Sequence, residues 1–261
     1  MKTTIVKIGG TILENPQQRS AFLTAFQAIE GRKVLVHGGG KTTSNWAKKL
    51  GITSEFIDGR RVTSAELLEI ATLVYSGINK QLVAGLQHLG VQAIGLSGAD
   101  GKLIPAKKRS VHPIDFGWVG DPLFDSELAP LLRNLLMDGM CPVISALSYD
   151  VDSGSLLNTN ADSITLFLSK VLQEMGDVAV IYAFEFGGVL RDISDENSVI
   201  ATLSEEEIQH LKKEGVIHSG MLPKLECGIN ALKLGAKSVH ICQFDKLHSG
   251  TKLVIYEKRF S

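Results

Sequence analysis

Short apolar runs alternate with longer stretches of helical period along most of this chain, and that alternation limits its fold more than any other feature. TTIVKI (3–8), KVLVH (33–37), VQAIGLSG (91–98), PVISAL (142–147), VAVIYAF (178–184), SVHICQ (238–243) and TKLVIY (251–256) have strand character. Between them the spacing predicts helices around Gln17 to Ile29, Thr42 to Leu50, Ala65 to Leu89, Ser126 to Met137, Asn160 to Glu174, Glu205 to Glu214 and Leu222 to Leu234. Strands interleaved with helices in this way form parallel sheets covered on both faces, so the fold class is α/β. Two helix starts carry capping signatures, Thr63-Ser64-Ala65-Glu66 and Ser204-Glu205-Glu206-Glu207. The stretch KLIPAKKRSVHPIDFGWVGDP (102–122) loses the helical period and carries prolines and glycines, as an excursion beside the main sheet would.

A chain of 261 residues is long enough for one large α/β domain or two modest lobes. Its 27 Lys and Arg against 28 Asp and Glu leave no basic footprint for nucleic acid. MKTTIVKIGG is too short in apolar residues for a signal peptide, and no later run is long enough to span a bilayer, so a cytoplasmic protein without a membrane partner is expected. Cys141, Cys227 and Cys242 are far apart and lack CxxC spacing, which argues for reduced cysteines and against a metal site built from them.

Candidate functional residues stand where local rules are broken. In VLVHGGGKTT (34–43) a buried strand delivers three glycines and GKT into a helix. The phosphate-loop pattern would need glycine at Leu35, and the dinucleotide fingerprint would need it at Thr43. What remains is a choice between amides facing an anion and a tight strand-to-helix turn. Lys7 interrupts an apolar strand just before two glycines, either as an edge-strand lysine in water or at the carboxyl edge where α/β sheets bind ligands. Lys224 follows Pro223 into the first turn of a helix, where a cation opposes the dipole unless an anion faces it. NTNAD (158–162) suits a helix cap, and has amides and a carboxylate to spare for a site. Arg60 and Arg61 in DGRRVT (58–63) are either surface residues or a bidentate grip on a carboxylate.

Taken in order, IVKIGG, VLVHGGG, DGRRVT, GLSGADG, PVIS, NTNAD and GMLPK resemble the amino acid kinase family, in its acylglutamate-phosphorylating branch. The resemblance implies a three-layer αβα sandwich with a mainly parallel central sheet. It implies an N-terminal lobe (1–175) for the acyl amino acid and for pairing as a homodimer, and a C-terminal lobe (176–261) for ATP. By the same resemblance, the catalytic residues are Lys7 and Lys224, which neutralise phosphoryl oxygens, and Asp162, which orients them. Gly39, Gly40, Arg61 and Asn158 would hold the substrate. Lys7, Gly9, Gly10, Glu185, Gly220, Met221 and Lys224 would meet ATP, with Mg2+ and no direct metal ligand from the protein. Lys41 would then be only a helix-start residue.

The implied reaction is phosphorylation of the side-chain carboxylate of an N-acyl-L-glutamate, an acceptor ionised at pH 7 that needs no general base. The product would be an acyl phosphate. Relatives usually carry an aspartate where this chain has Glu185, within Ala183-Phe184-Glu185-Phe186-Gly187-Gly188. The excursion from Lys107 to Asp121 falls where relatives cover the acyl group, and some bacterial relatives handle succinylated in place of acetylated intermediates. The chain starts at its first strand, without the N-terminal helix of arginine-inhibited hexamers, which implies an arginine-insensitive dimer. The competing readings are a carbamate, aspartate or glutamate kinase, a catalytically silent nucleotide-binding protein, and a dehydrogenase, against which the failed dinucleotide fingerprint argues.

Overall fold

The structure is a computed structural model that describes residues 2–57, 60–217 and 221–256. The first half of the chain runs β1 (Thr3–Ile8), α1 (Gly10–Glu14), α2 (Pro16–Gln27), β2 (Arg32–His37), α3 (Gly40–Lys49), β3 (Phe56–Ile57), β4 (Arg60–Arg61), α4 (Ala65–His88), β5 (Ala93–Leu96), β6 (Pro105–Lys108) and β7 (Gly120–Pro122). It continues with α5 (Pro130–Met137), β8 (Cys141–Ser145), β9 (Leu147–Asp150), β10 (Leu156–Asn158), α6 (Ala161–Val171), β11 (Val178–Phe184), β12 (Thr202–Ser204), α7 (Glu205–Lys213), α8 (Leu222–Lys233), β13 (Ser238–Gln243) and β14 (Thr251–Val254). Among the described residues the strands form an eight-stranded sheet ordered β12-β14-β13-β11-β1-β2-β8-β5, a four-stranded sheet ordered β10-β9-β6-β7, and the β3-β4 ribbon.

Within the large sheet β1 pairs parallel with both β2 and β11, and only the β13–β14 contact is antiparallel. The carboxyl ends of β1, β2, β8, β11 and β13 therefore share one edge, and the loops leaving them lie side by side. Because β1 from the N-terminal segment sits beside β11 from the C-terminal segment, one continuous sheet joins the two halves of the chain.

Alternation along β1 assigns the faces. Ile5 packs with Val34, Val36 and Ile144 against Phe167 of α6, Leu225 of α8 and Leu132 of α5. Val6 and Ile8 point the other way, with Leu35 and Val143, onto Phe22 and Phe26 of α2 and Leu82 and Leu86 of α4. Both faces of the sheet are thus buried, which is why its strands read as nearly continuous apolar runs. Each of these large side chains contributes about 1.5–3 kcal/mol by leaving water. The result is the expected three-layer αβα sandwich.

Three local expectations need correction. The cap of α4 is Ser64, whose Oγ accepts from Leu67 N–H at 3.2 Å and donates to Glu66, so Thr63 starts no capping box. α5 begins at Pro130, four residues after Ser126, because proline suits the first helical position and disfavours α geometry in the residue before it. Ala129 accordingly takes ψ 130. The excursion after β5 is a β6–β7 hairpin that joins β9 and β10, two short strands without a pattern in the sequence.

The second capping box forms as its sequence predicts: Ser204 N–H donates to Glu207 Oε2 at 2.7 Å and Glu207 N–H donates to Ser204 Oγ at 3.2 Å. Ser204→Ala should lower stability by about 1 kcal/mol in denaturant unfolding. A change near zero would mean that the box contributes nothing here.

Candidate active site

Lys7 lies on the Ile5 side of β1, one residue before the sheet ends, and therefore faces the layer of α6 and α8. Its Nζ is 2.8 Å from Asp162 Oδ1, with the two side chains 9% and 8% exposed. Asp162 is held there by its own helix start. Asn160 caps α6 by accepting the Asp162 N–H on Oδ1 at 2.7 Å, and the next residues of the helix, Ile164, Thr165, Phe167 and Leu168, are buried against the sheet. A buried ion pair is costly to desolvate and is a poor source of stability, so its presence in an otherwise apolar layer points to chemistry.

Lys224, in the first turn of α8, completes the group. Its Nζ stands 5.9 Å from the centre of the Phe184 ring. Burial, with the Lys7 charge second, lowers its pKa, while Asp162 acts in the opposite sense. The structure thus gathers two lysines and one aspartate at the carboxyl edge of β1. Tyr182, the register partner of Lys7 on β11, adds a buried hydroxyl without a hydrogen-bond partner among the described residues, and its pKa is raised by burial, by Cys227 and by Asp162.

Beside this edge is a cavity of about 180 Å³ lined by Gly38, Gly39, Gly40, Arg61, Tyr75, Arg109 and Asn158 among others. Glycine at 39 is required by close packing, since a Cβ there would come within 2.8 Å of both Tyr75 and Ile78 on α4. Arg61, 7% exposed, donates from Nη2 to Gly40 O at 2.6 Å and to Ser44 Oγ at 2.7 Å, and stacks on Phe56. Asn158 donates from Nδ2 to Thr63 Oγ1 at 2.9 Å and accepts from Tyr75 OH at 3.3 Å. The two asparagines of NTNAD therefore have different jobs, Asn160 as the cap and Asn158 in the cavity wall. Lys41 pairs at 3.2 Å with Glu14 and is 57% exposed, away from this cavity.

Beyond the end of β11, Phe184, Phe186, Val189, Ile217 and Met221 line an apolar cavity of about 270 Å³. Gly9 and Gly10 form the turn out of β1 into α1. Glu185 points elsewhere, into an open groove with Thr11, Gln17 and Lys41, because neighbouring residues at the end of β11 alternate sides. Gly220 lies outside the described residues. No local signal marks Tyr75, which sits on the buried period of α4, or Arg109, one of three consecutive basic residues in the irregular excursion.

His37 contributes no base. It faces the opposite layer, donates from Nδ1 to Gly38 O at 2.9 Å and accepts on Nε2 from Asn79 Nδ2 at 3.0 Å, so both ring nitrogens are occupied in the neutral form. Burial lowers its pKa to about 4.

An αβα sandwich with a lysine–aspartate–lysine group at its sheet edge, between an arginine-lined cavity and an apolar one, has the features of a phosphoryl-transfer protein. The chain belongs to the amino acid kinase family, whose model matches residues 2–243. It is 44% identical over 255 residues to the acetylglutamate kinase of Phocaeicola vulgatus, covering 97% of this chain and 98% of that one. It is 43% identical over 263 residues to the acetylglutamate kinase of Cytophaga hutchinsonii, covering 97% and 98%. A crystal structure of a Streptococcus mutans protein superposes with TM-score 0.80 over 97% of this chain and 98% of that one, at 23% identity.

The folded pKa of His37 lies below its unfolded value, so its stabilising contribution is complete above about pH 6.5 and is lost as pH falls to about 4. The loss over that window should reach about 3 kcal/mol. Denaturant stability measured from pH 7 to 4 should fall less steeply in His37→Gln than in the parent chain. Parallel profiles would show that His37 does not titrate as its burial requires.

Proposed function

We propose that this chain is an ATP-dependent N-acyl-L-glutamate 5-kinase of the acetylglutamate kinase type. The observation that carries the proposal is the buried Lys7–Asp162 pair, with Lys224 beside it, next to a cavity that holds Arg61 and Asn158. Names shared by relatives 43–45% identical along nearly the whole chain support the acceptor and the phosphoryl donor.

The chemistry follows from these groups. An oxygen of the acceptor's side-chain carboxylate attacks the γ-phosphorus of ATP, the bond from that phosphorus to the β,γ-bridging oxygen breaks, and an acyl phosphate and ADP result. No proton moves, which fits a sheet edge where His37 is neutral and faces the other layer. The protein must therefore supply position and charge. Arg61 and Asn158 would hold the α-carboxylate end, and the amides of Gly39 and Gly40 would lie along the path of the transferred group. Lys7 and Lys224 would meet the phosphoryl oxygens, with the Asp162 carboxylate offsetting the repulsion between the two cations. Met221, Phe184 and Phe186 would form the wall of the nucleotide pocket. Gly9 and Gly10 would approach its phosphates, and Glu185 would stand on its outer side.

Among the described residues no group of three or more His, Cys, Asp or Glu side chains is placed to hold a metal. Mg2+ in this reading is carried on the nucleotide, where it neutralises phosphate charge. Residues 1–175 would supply the acceptor side and 176–261 the nucleotide side of one sheet edge. Exposed Trp46 on α3, Leu50 just past its end and Leu73 on α4 border an apolar hollow, which supports pairing of two chains as a homodimer. No described helix is long and apolar enough to cross a membrane, and a cytoplasmic enzyme with small-molecule partners fits the reading.

The test is acyl-phosphate formation from MgATP, trapped as the hydroxamate, with N-acyl-L-glutamates beside free glutamate, aspartate and carbamate. Turnover of an acylglutamate above every control is expected, and Lys7→Met should reduce it at least about 100-fold. Turnover of a control alone would move the chain elsewhere in the family. No turnover with any acceptor, together with retained nucleotide binding, would make it a silent binding protein.

A further inference from the structure

We propose that Tyr182 is a positioning residue for the transfer: its hydroxyl is the hydrogen-bond donor that fixes the Asp162 carboxylate between Lys7 and Lys224. This rests on the kinase reading above and adds a residue to that same site. Two buried polar atoms point to it. Tyr182 is 1% exposed, and its hydroxyl has no hydrogen-bond partner among the described residues. Asp162 Oδ1 is buried too, and although Lys7 Nζ lies 2.8 Å away, it accepts no hydrogen bond of ordinary geometry from any described residue. One of these atoms is a donor and the other an acceptor, at the same end of the sheet.

Strand pairing and helix packing bring them together. Tyr182 on β11 is level with Lys7 on β1, and side chains level with each other on neighbouring strands point to the same face. Both therefore enter the layer of α6 and α8. Phe184, two residues on, shares that face and lies under Lys224 Nζ at 5.9 Å. Tyr182 lies one helical turn further along α8: a Cβ at Gly228, four residues after Lys224, would be 3.7 Å from Tyr182 Cε2. In the sheet Tyr182 has Ile241 of β13 on one side and Lys7 on the other, so its polar side is the side of the ion pair.

Of the groups that act on the hydroxyl, only Asp162 is a strong acceptor. Lysine ammonium groups donate and cannot accept. The Cys227 thiol is pushed up to about 12 by burial and by Asp162, so it is a neutral sulfur and a weak acceptor. Burial, Cys227 and Asp162 together keep Tyr182 protonated, hence a donor at neutral pH. Phenylalanine would fill the same space and leave nothing unpaired, so the hydroxyl is a cost to the fold unless the reaction uses it. Hydrogen bonds of this kind are commonly long before substrates bind and tighten in the reacting complex. A hydroxyl on a buried strand then holds the carboxylate still while the two lysines take up phosphoryl charge.

The experiment measures kcat, KM for N-acetyl-L-glutamate, the MgATP dissociation constant and the melting temperature in the parent chain, Tyr182→Phe, Asp162→Asn and the double variant. Tyr182→Phe is expected to lower kcat about ten-fold, with KM and the dissociation constant within about two-fold and a melting temperature no lower than the parent's. In the Asp162→Asn background the same change should alter kcat by less than about two-fold, since the hydroxyl acts through that carboxylate. An unchanged kcat in Tyr182→Phe overturns the inference. A fall in kcat that comes with weaker MgATP binding and a lower melting temperature also overturns it, because lost packing gives that result. So does an equal fall in both backgrounds. Each of these leaves the kinase reading intact, whereas no turnover of any acylglutamate by the parent chain overturns that reading and this one with it. Should phenylalanine leave the chain unfolded, 4-fluorophenylalanine at position 182 fills the hydroxyl's place without a donor, and the same outcomes decide.

Discussion

The ion pair of Lys7 and Asp162 sets the terms for the rest of the site. It crosses from the central strand to the helix layer above it, at 2.8 Å and nearly out of reach of water. Neither group would be tolerated there alone: an isolated buried charge is strongly destabilising, and replacing both by apolar residues would be close to neutral for stability. What the pair secures is a fixed cation at the carboxyl edge of β1. Lys224 can approach that cation because the aspartate lies within range of both, and its lowered pKa records the burial and the residual repulsion.

The topology explains why the two halves of the reaction meet at this point. β1 has β2 on one side and β11 on the other, so its end lies between the HGGG turn and the Phe184–Gly188 turn. The arginine-lined cavity opens beside the first turn and the apolar cavity beside the second. A carboxylate acceptor and a nucleotide placed in these cavities would have their reacting groups directed at the same pair of lysines. The second sheet, β10-β9-β6-β7, adds a wall whose backbone bonds to Thr63 and Asn158 tie the Arg109 side of the cavity to the Arg61 side. Packing against α4 explains the glycine at position 39, which a phosphate-loop reading would have explained differently.

Much of this was legible in the sequence because the residues concerned break local rules. A lysine in an apolar strand, a lysine in the first turn of a helix and two asparagines where one suffices each stood out, and the fold brings Lys7, Asp162 and Lys224 together. The central sheet was legible for the same reason that it is buried, namely that both faces of its strands are apolar. Other features were hidden by ambiguity of a physical kind. Arg109 sits in the basic run KKR of a segment without period, and only the pairing of β6 with β7 decides which of its cations faces inward. Glu185 shares a turn with Phe184 and Phe186, and the direction in which the chain leaves β11 determines which side chains reach the pocket. The cap at Ser64 and the start of α5 differed from expectation by one and four residues, where adjacent hydroxyls or a proline compete for the same role.

The central claim is that Asp162 acts on the lysines and only indirectly on bound ligands. It is tested most directly by measuring the MgATP dissociation constant and kcat side by side in the parent chain and in Asp162→Asn, which keeps the shape and removes the charge. The account predicts a fall in kcat of about 100-fold or more with a dissociation constant within a few-fold of the parent. Equal losses in both would contradict it, because they would make Asp162 part of the nucleotide-binding surface and leave the two lysines without the group said to orient them.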